Sequence, residues 1–292
     1  MPTPLVMEDG RLRVFFCSRD RHNRSHTLWV DLENGAAWKI IDVADEPVLS
    51  PSQPGLFDAE GIMPSSIIEF GGRLLMYTIG WTVRRDVPYH NAIGVCESFD
   101  GGMTWQRVSK GPVHAQGMLE PYFCGTSEVV LSDDGRSLEM YYMSATEWRD
   151  VNGKLEPRYH IRKSTSADGI LWSQDNPVVV DYLDNEEGGI ARATLLSKRG
   201  SSRWMWYCYR GIDGYRNHQA SAYKIGVSHK GDDGIWQRLA GQRVFSEPAR
   251  EDAFDSMMEC YPINHHCDGK DWLFYNGNGF GQTGIGFAER AS

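Results

Sequence analysis

The chain has 292 residues, of which 39 are acidic and 30 basic, giving a formal net charge of −9. That charge excludes a general nucleic-acid binder, which needs a basic face to neutralise phosphates. No apolar run approaches the roughly 18 residues of a membrane-spanning helix. The 10 Trp, 13 Tyr and 11 Phe beside 31 Gly point to many short strands and tight turns.

The start, Met1-Pro2-Thr3-Pro4, lacks the basic and apolar regions of a signal peptide. Cys17, Cys96, Cys124, Cys208, Cys260 and Cys267 form no CxxC pair, so buried free thiols in a reducing cytoplasm are expected. From there the chain repeats itself. A loop ending in Trp recurs at Trp38, Trp105, Trp172 and Trp236, with spacings of 67, 67 and 64. An aromatic-rich strand recurs as Val14-Phe-Phe16, Leu75-Met-Tyr77, Met140-Tyr-Tyr142, Met205-Trp-Tyr207 and Leu273-Phe-Tyr275, with spacings of 61, 65, 65 and 68. A shorter strand recurs as Leu28-Trp-Val30, Ile93-Gly-Val95, His160-Ile-Arg162, Ile225-Gly-Val227 and Ile285-Gly-Phe287.

Three features in step predict an all-β chain: one five-bladed β-propeller over residues 1–292, with four-stranded antiparallel blades. The blades fall at about 2–48, 57–115, 119–180, 186–247 and 255–290. A fifth Trp is due beyond the last residue, so the last blade is expected to be incomplete, with about three strands and a weak seam between residues 2–16 and 272–288. Short helical turns are placed in loops such as 213–221, and a hairpin turn at Gly277–Gly284. The loops Ser98-Phe-Asp-Gly-Gly-Met-Thr-Trp105 and Ser166-Ala-Asp-Gly-Ile-Leu-Trp172 read as structural: Asp and Ser bond local amides, Gly supplies positive φ, and Trp fills the gap between blades.

Residues at the start of each inner strand line one mouth of a propeller's channel. Acids recur there: Asp58 and Glu60, Glu120 and Glu128, Asp184 to Glu187, and Asp255 with Glu259. Converging carboxylates suit glycoside hydrolysis, in which one carboxylic acid protonates the leaving oxygen and a second carboxylate activates water or attacks the sugar. Trp81, Trp148, Tyr182 and Tyr215 are candidate stacking platforms, and Arg19, Arg192 and Arg210 are candidate anion binders or anchors for rim acids. Adjacent His265 and His266 point to opposite faces of a strand, so no metal and no cofactor are predicted.

Pro2-Thr-Pro, Phe16-Cys-Ser-Arg-Asp20, Phe57-Asp58 with Gly61-Ile-Met-Pro-Ser65, Tyr77-Thr-Ile-Gly-Trp81, Ile190-Ala-Arg192, Tyr209-Arg-Gly211, Cys260-Tyr-Pro262 and Tyr275-Asn-Gly-Asn-Gly279 extend over nearly the whole chain. Together they resemble a group of bacterial five-bladed β-propeller, glycosidase-like proteins encoded among surface-polysaccharide biosynthesis genes. More distantly the chain is similar to glycoside hydrolase families 43, 32 and 68 and to the mannoside phosphorylases of family 130. The resemblance implies an acid/base enzyme acting on a glycan, with Asp58 as base or nucleophile and Glu120 or Glu187 as acid. Arg19, Asp20, Trp81, Glu128, Arg192, Arg210, Asp255, Glu259, Tyr261 and Asn276 then bind substrate. The alternatives are a non-catalytic sugar-binding propeller in polysaccharide assembly, or a phosphorylase or transferase on the same scaffold.

Overall fold

The computed structural model describes residues 1–33, 38–197, 202–245, 250–267 and 269–290. Packing divides the chain into two compact units: Met1–Met140 with Ser164–Asp175, and Tyr141–Lys163 with Asn176–Ser292.

In the first unit, β1 (Thr3–Val6), β2 (Leu12–Arg19), β3 (Ser25–Glu33) and β4 (Lys39–Val43) form an antiparallel meander. A second follows: β5 (Gly61–Phe70), β6 (Arg73–Thr82), β7 (His90–Ser98) and β8 (Gln106–Arg107). A single parallel bridge, Ser25 to Gly61, joins the two. Strand β9 (Cys124–Leu131) lies beside β5. Strands β10 (Leu138–Val151) and β11 (Lys154–Ser166) run from one unit into the other. In the second unit β11 pairs with β12 (Val178–Val180), and a parallel bridge from Tyr159 to Gly189 leads to the next meander. That meander is β13 (Glu187–Leu195), β14 (Arg203–Gly211), β15 (Lys224–Lys230) and β16 (Trp236–Arg243). Among the described residues the last sheet has three strands, β17 (Cys260–Cys267), β18 (Lys270–Asn276) and β19 (Ile285–Glu289). The β18–β19 connection is the turn of an antiparallel hairpin, as the sequence suggested; its segment α1 (Asn278–Gly281) has left-handed backbone at Gly279 and Phe280, both at φ 62°.

The aromatic-rich strands are the second strands β2, β6, β10, β14 and β18. Each contains a run of at least three consecutive buried residues. Such runs replace strict alternation because both faces of these strands are covered. In the first unit Phe15, Leu49, Ile62, Met76, Cys96 and Trp105 form one core cluster. In the second, Leu196, Trp206, Ile225, Leu273 and Tyr275 form another.

Three of the four loop Trp residues meet an aromatic one repeat earlier in the chain. Trp105 meets Phe15 edge-on at 5.8 Å, Trp172 meets Tyr77 at 5.7 Å, and Trp236 meets Tyr141 at 6.1 Å between ring centroids. Asp100 fixes its loop by accepting from the Thr104 hydroxyl and from the Thr104 and Met103 amides. Those bonds, led by the Thr104 hydroxyl, hold its carboxyl at about 2. Asp168 repeats the device with the amides of Leu171 and Ile170. In the first such loop, residues 34–37 lie outside the described residues, and Trp38 is buried.

Inner strands are stitched by side chains as well as backbone. Ser65 Oγ donates to Ser127 O at 2.8 Å and accepts from Ser127 N, and Ser66 Oγ accepts from Val129 N. In the second unit Thr194 Oγ1 accepts from Asn264 N at 2.9 Å. The same strands are bulged. Register shifts fall at Pro64/Ser66 in β5, Ala191/Thr194 in β13 and Cys260/Ile263 in β17. Three residues at matching positions take positive φ: Thr126 at 23°, Arg192 at 47° and Tyr261 at 55°. A bulge re-aims the side chain it carries, and left-handed backbone at a non-glycine residue costs of order 1–3 kcal/mol. The strain therefore recurs at the strand starts from which the sequence drew its site residues.

The six cysteines are thiols, not disulfides. Four are buried, and burial pushes the Cys96 thiol up to about 12. On β17, His266 bonds Ser197 and Asp271, while His265 packs edge-on against Phe274. Burial, followed by the charge of His266, holds His265 down at about 4. The folded protein thus binds fewer protons than the unfolded chain between pH 6.5 and 4. Stability is present above about pH 6.5 and is lost as pH falls through that window, by up to about 3 kcal/mol. Urea titrations from about pH 7 to 4 are expected to show this loss, and a His265→Phe variant to reduce it.

Candidate functional site

In the first unit the acids are gripped. Asp58 has no exposed surface. Its Oδ2 accepts from Arg107 Nε at 2.8 Å, and Arg107 Nη2 also donates to Ser50 O at 2.6 Å. The Asp58 turn is set by Phe57, whose ring fills a slot left by Gly80 and Gly94; a Cβ at Gly80 would lie 2.4 Å from it. Glu120 is buried and its Oε2 meets His114 Nε2 at 3.0 Å. Asp20 accepts from the amides of Arg24 and His22 and from the Arg24 guanidinium, bonds that depress its carboxyl and close the β2–β3 turn. Arg19 is exposed, bonds Asn23 Oδ1 at 2.7 Å and lies over the Trp81 ring at 5.5 Å. Trp81 Nε1 donates to Ser25 Oγ. Glu128 is half-buried on β9. Of the residues predicted here, the unit brings together Arg19 and Trp81.

In the second unit Glu187 mirrors Asp58. Arg238 donates to both its oxygens, at 2.6 and 2.7 Å, and Leu183 N adds a third bond. Arg107 and Arg238 each stand two residues beyond a loop Trp, as Trp105-Gln-Arg107 and Trp236-Gln-Arg238. The repeat carries that signal, although the count of strand-start acids does not use it. Phe254-Asp255 likewise repeats Phe57-Asp58. The Phe254 ring occupies a slot left by Gly277 and Gly286, where a Cβ would lie 2.5 Å and 2.2 Å from it. Here the Asp is free of arginine: Asp255 Oδ2 accepts from the Tyr275 hydroxyl at 2.6 Å.

Glu259 is the most distinctive carboxyl of this unit. It is 3% exposed, its Oε1 accepts from Arg243 Nη2 at 3.2 Å, and its Oε2 has no hydrogen-bond partner among the described residues. Burial raises its pKa, Arg243 and Lys224 oppose the rise, and the charge of Asp255 adds to it. A second carboxyl, Asp255, thus stands close enough to act on the raised Glu259, and a buried acid beside another carboxyl is the pairing that acid/base chemistry uses. Lys224, half-buried beside them, donates to Met257 O. Neither Lys224 nor Arg243 carries a sequence signal; only the fold puts them there.

The loop bearing these acids is clamped to the β18–β19 loop. Asn278 N donates to Phe254 O, and Asn278 Oδ1 accepts from the amides of Met257 and Met258. Asn276 Nδ2 holds Phe280 O at 2.8 Å, so Asn276 positions that loop. Tyr261, on its bulge, stacks on Phe280 with ring centroids 6.4 Å apart. Arg210 is fully buried: it donates to the Tyr159 hydroxyl, Pro157 O and Gly211 O, and lies over the Tyr215 ring at 3.9 Å. Arg192 is fully buried on the β13 bulge. Of the predicted residues, the unit brings together Asp255 with Glu259, and Tyr261 and Asn276 with the loop bearing Phe280.

No protein-family profile matches the chain. It is 31% identical over 288 residues to Uncharacterized protein MT1551 of Mycobacterium tuberculosis (strain CDC 1551 / Oshkosh), a match covering 99% of this chain and 91% of that protein. Uncharacterized protein Rv1502 of Mycobacterium tuberculosis (strain ATCC 25618 / H37Rv) matches with the same identity and coverage. The chain belongs to the family of these two mycobacterial proteins. Solved structures give the family its fold. A glycoside hydrolase aligns with a TM-score of 0.74 at 17% identity, over 100% of this protein and 87% of that one. A thermostable family-43 glycoside hydrolase aligns at 0.71 and 14% identity, over 99% and 88%. A structure from the GH130 family of mannoside phosphorylases, which contains glycoside hydrolases that target β-1,2 mannosidic linkages in Candida mannan, aligns at 0.69 and 14%, over 99% and 82%. This family therefore has the β-propeller fold of those proteins. Among the described residues, no helix is long and apolar enough to cross a membrane.

Proposed function

We propose that this protein is a carbohydrate-active propeller enzyme of five blades that hydrolyses a glycosidic bond, with Glu259 as proton donor and Asp255 as its ionised partner. One observation carries the reading: Glu259 is a buried carboxyl with a raised pKa and an unbonded oxygen, beside a second carboxylate. Glu259 gives its proton to the leaving oxygen as the anomeric C–O bond breaks. Asp255, held by Tyr275, stabilises the positive charge at the anomeric carbon; water then bonds to that carbon and its proton returns to the Glu259 carboxylate, which restores the acid. Asp58, Glu120 and Glu187, which the sequence favoured for catalysis, each meet a basic side chain, as Glu259 meets Arg243. Asp58 Oδ1, like Glu259 Oε2, has no hydrogen-bond partner among the described residues; Glu259 is chosen for its raised carboxyl beside Asp255. The part of Asp58, Glu120 and Glu187 in this proposal is to fix the loops that carry the site.

Phosphorolysis on the same scaffold has one observation in its favour, the cations Lys224 and Arg243 around Glu259. A panel of aryl glycosides and oligosaccharides, incubated with and without phosphate, separates the readings. Free sugar released without phosphate is the expected result. Product only with phosphate marks a phosphorylase, and saturable binding with no product marks a binding propeller; either overturns hydrolysis.

A further inference from the structure

The second unit buries a cation without a carboxylate. All three of the guanidinium bonds of Arg210 go to neutral oxygens, and the residue is 1% exposed. Its Tyr159 partner shares a hydroxyl–hydroxyl contact with Tyr223. Burial works against its charge, and the surrounding tyrosines Tyr159, Tyr223 and Tyr215 more than offset this. A second guanidinium, Arg216, also lies against Tyr215, 4.3 Å from the same ring centroid and 5.8 Å from that of Phe280. Among the described residues, the carboxylate that bonds Arg216 is Glu156. It accepts from the Tyr215 hydroxyl at 2.7 Å, from Arg216 Nη1 at 3.2 Å and from Lys154 Nζ at 2.6 Å. Asp150 and Asp213, on the neighbouring hairpin and loop, are taken by Gly153 N and Asn152 Nδ2.

Arg210 is too buried to meet an anionic ligand. Arg216 is the group that can meet one. Its side chain is 41% exposed, and only Nη1 bonds a carboxylate. Nε and Nη2 form the planar fork that matches a carboxylate or phosphate. Beside it lies an aromatic pair held in costly backbone: Phe280 at φ 62° and Tyr261 at φ 55°, stacked at 29° between planes and both partly exposed. Strain kept at such a place points to function. The same corner adjoins the proposed acid, because Tyr223 O accepts from Glu259 N and Tyr261 lies two residues beyond Glu259.

We infer that the glycan carries an anionic group, a sugar carboxylate or phosphate, which Arg216 binds while the Phe280–Tyr261 pair takes the sugar face. This rests on the glycoside-active reading of the same site. Calorimetric titration of the full chain with D-glucuronic acid, glucose 1-phosphate and glucose tests it without requiring turnover. At least one anion is expected to bind about tenfold or more tightly than glucose. The stronger of the two names the source of the charge. Arg216→Gln is expected to erase the preference with an unchanged melting curve, whereas Phe280→Ala is expected to weaken all three ligands and keep it. Glucose binding as well as both anions, or a preference that survives Arg216→Gln, overturns the inference. Neither result touches hydrolysis of neutral glycosides, and loss of the hydrolytic reading leaves this titration decisive on its own terms.

Discussion

Replacing Glu259 by Gln is expected to lower kcat by about 10²–10⁴-fold while the melting temperature stays within a few degrees of wild type. The amide keeps the shape and can still accept from Arg243, but it cannot release a proton to the leaving oxygen. Stability is the informative control. Because burial raises the Glu259 pKa, its ionised form is disfavoured in the folded state. The folded protein therefore holds a proton that the unfolded chain has released, so its stability is greatest below the unfolded pKa and declines as pH rises toward the folded value. An uncharged Gln removes that pH-linked decline. A residue with a purely structural ion pair to Arg243 would behave in the opposite way, losing stability first. Aryl glycosides with activated leaving groups need less protonation, so they are expected to lose less rate in Glu259→Gln than unactivated ones.

Trp172→Ala carries the largest expected effect on folding. The indole is 6% exposed and packs edge-on to Tyr77 across the repeat boundary. Tyr77 OH donates to Gly169 O in the same loop at 2.8 Å, so the loop and the strand hold each other at two points. Truncating a buried Trp to Ala costs about 3–5 kcal/mol through lost burial and the cavity left behind. Guanidinium unfolding is expected to show stability lowered by that much. A loss below about 1 kcal/mol would show that these tryptophans are not what fastens one repeat to the next.

Much of the fold is written in the chain. The recurring Trp, the aromatic second strands and the Ser-x-Asp-Gly loops each report a local requirement that repeats: a gap to fill, a strand covered on both faces, a turn needing capped amides. Such signals survive without knowledge of the tertiary structure. The site is less legible. Inner-strand positions can be aligned, and Arg192 and Tyr261 are found that way, yet the bulges that re-aim them leave no compositional trace. Acids can be counted at strand starts, but which remain unbound depends on partners far along the chain. Asp58 is matched by an arginine 49 residues later, and Glu187 by one 51 residues later. Only the Trp-Gln-Arg repeat hints that both are anchors. Phe254-Asp255 matches Phe57-Asp58 in sequence, yet Asp255 meets tyrosine and Asp58 meets arginine. That difference, set by β8 and β18, shifts the proposed chemistry toward the last sheet.

The pH dependence of kcat/KM on a hydrolysed glycoside tests the central claim most directly. The account predicts an alkaline limb set by Glu259, placed above the ordinary glutamic acid range because burial holds the proton on, with the limb lost in whatever turnover Glu259→Gln retains. A profile with no alkaline limb, or one that Glu259→Gln leaves in place, would contradict it.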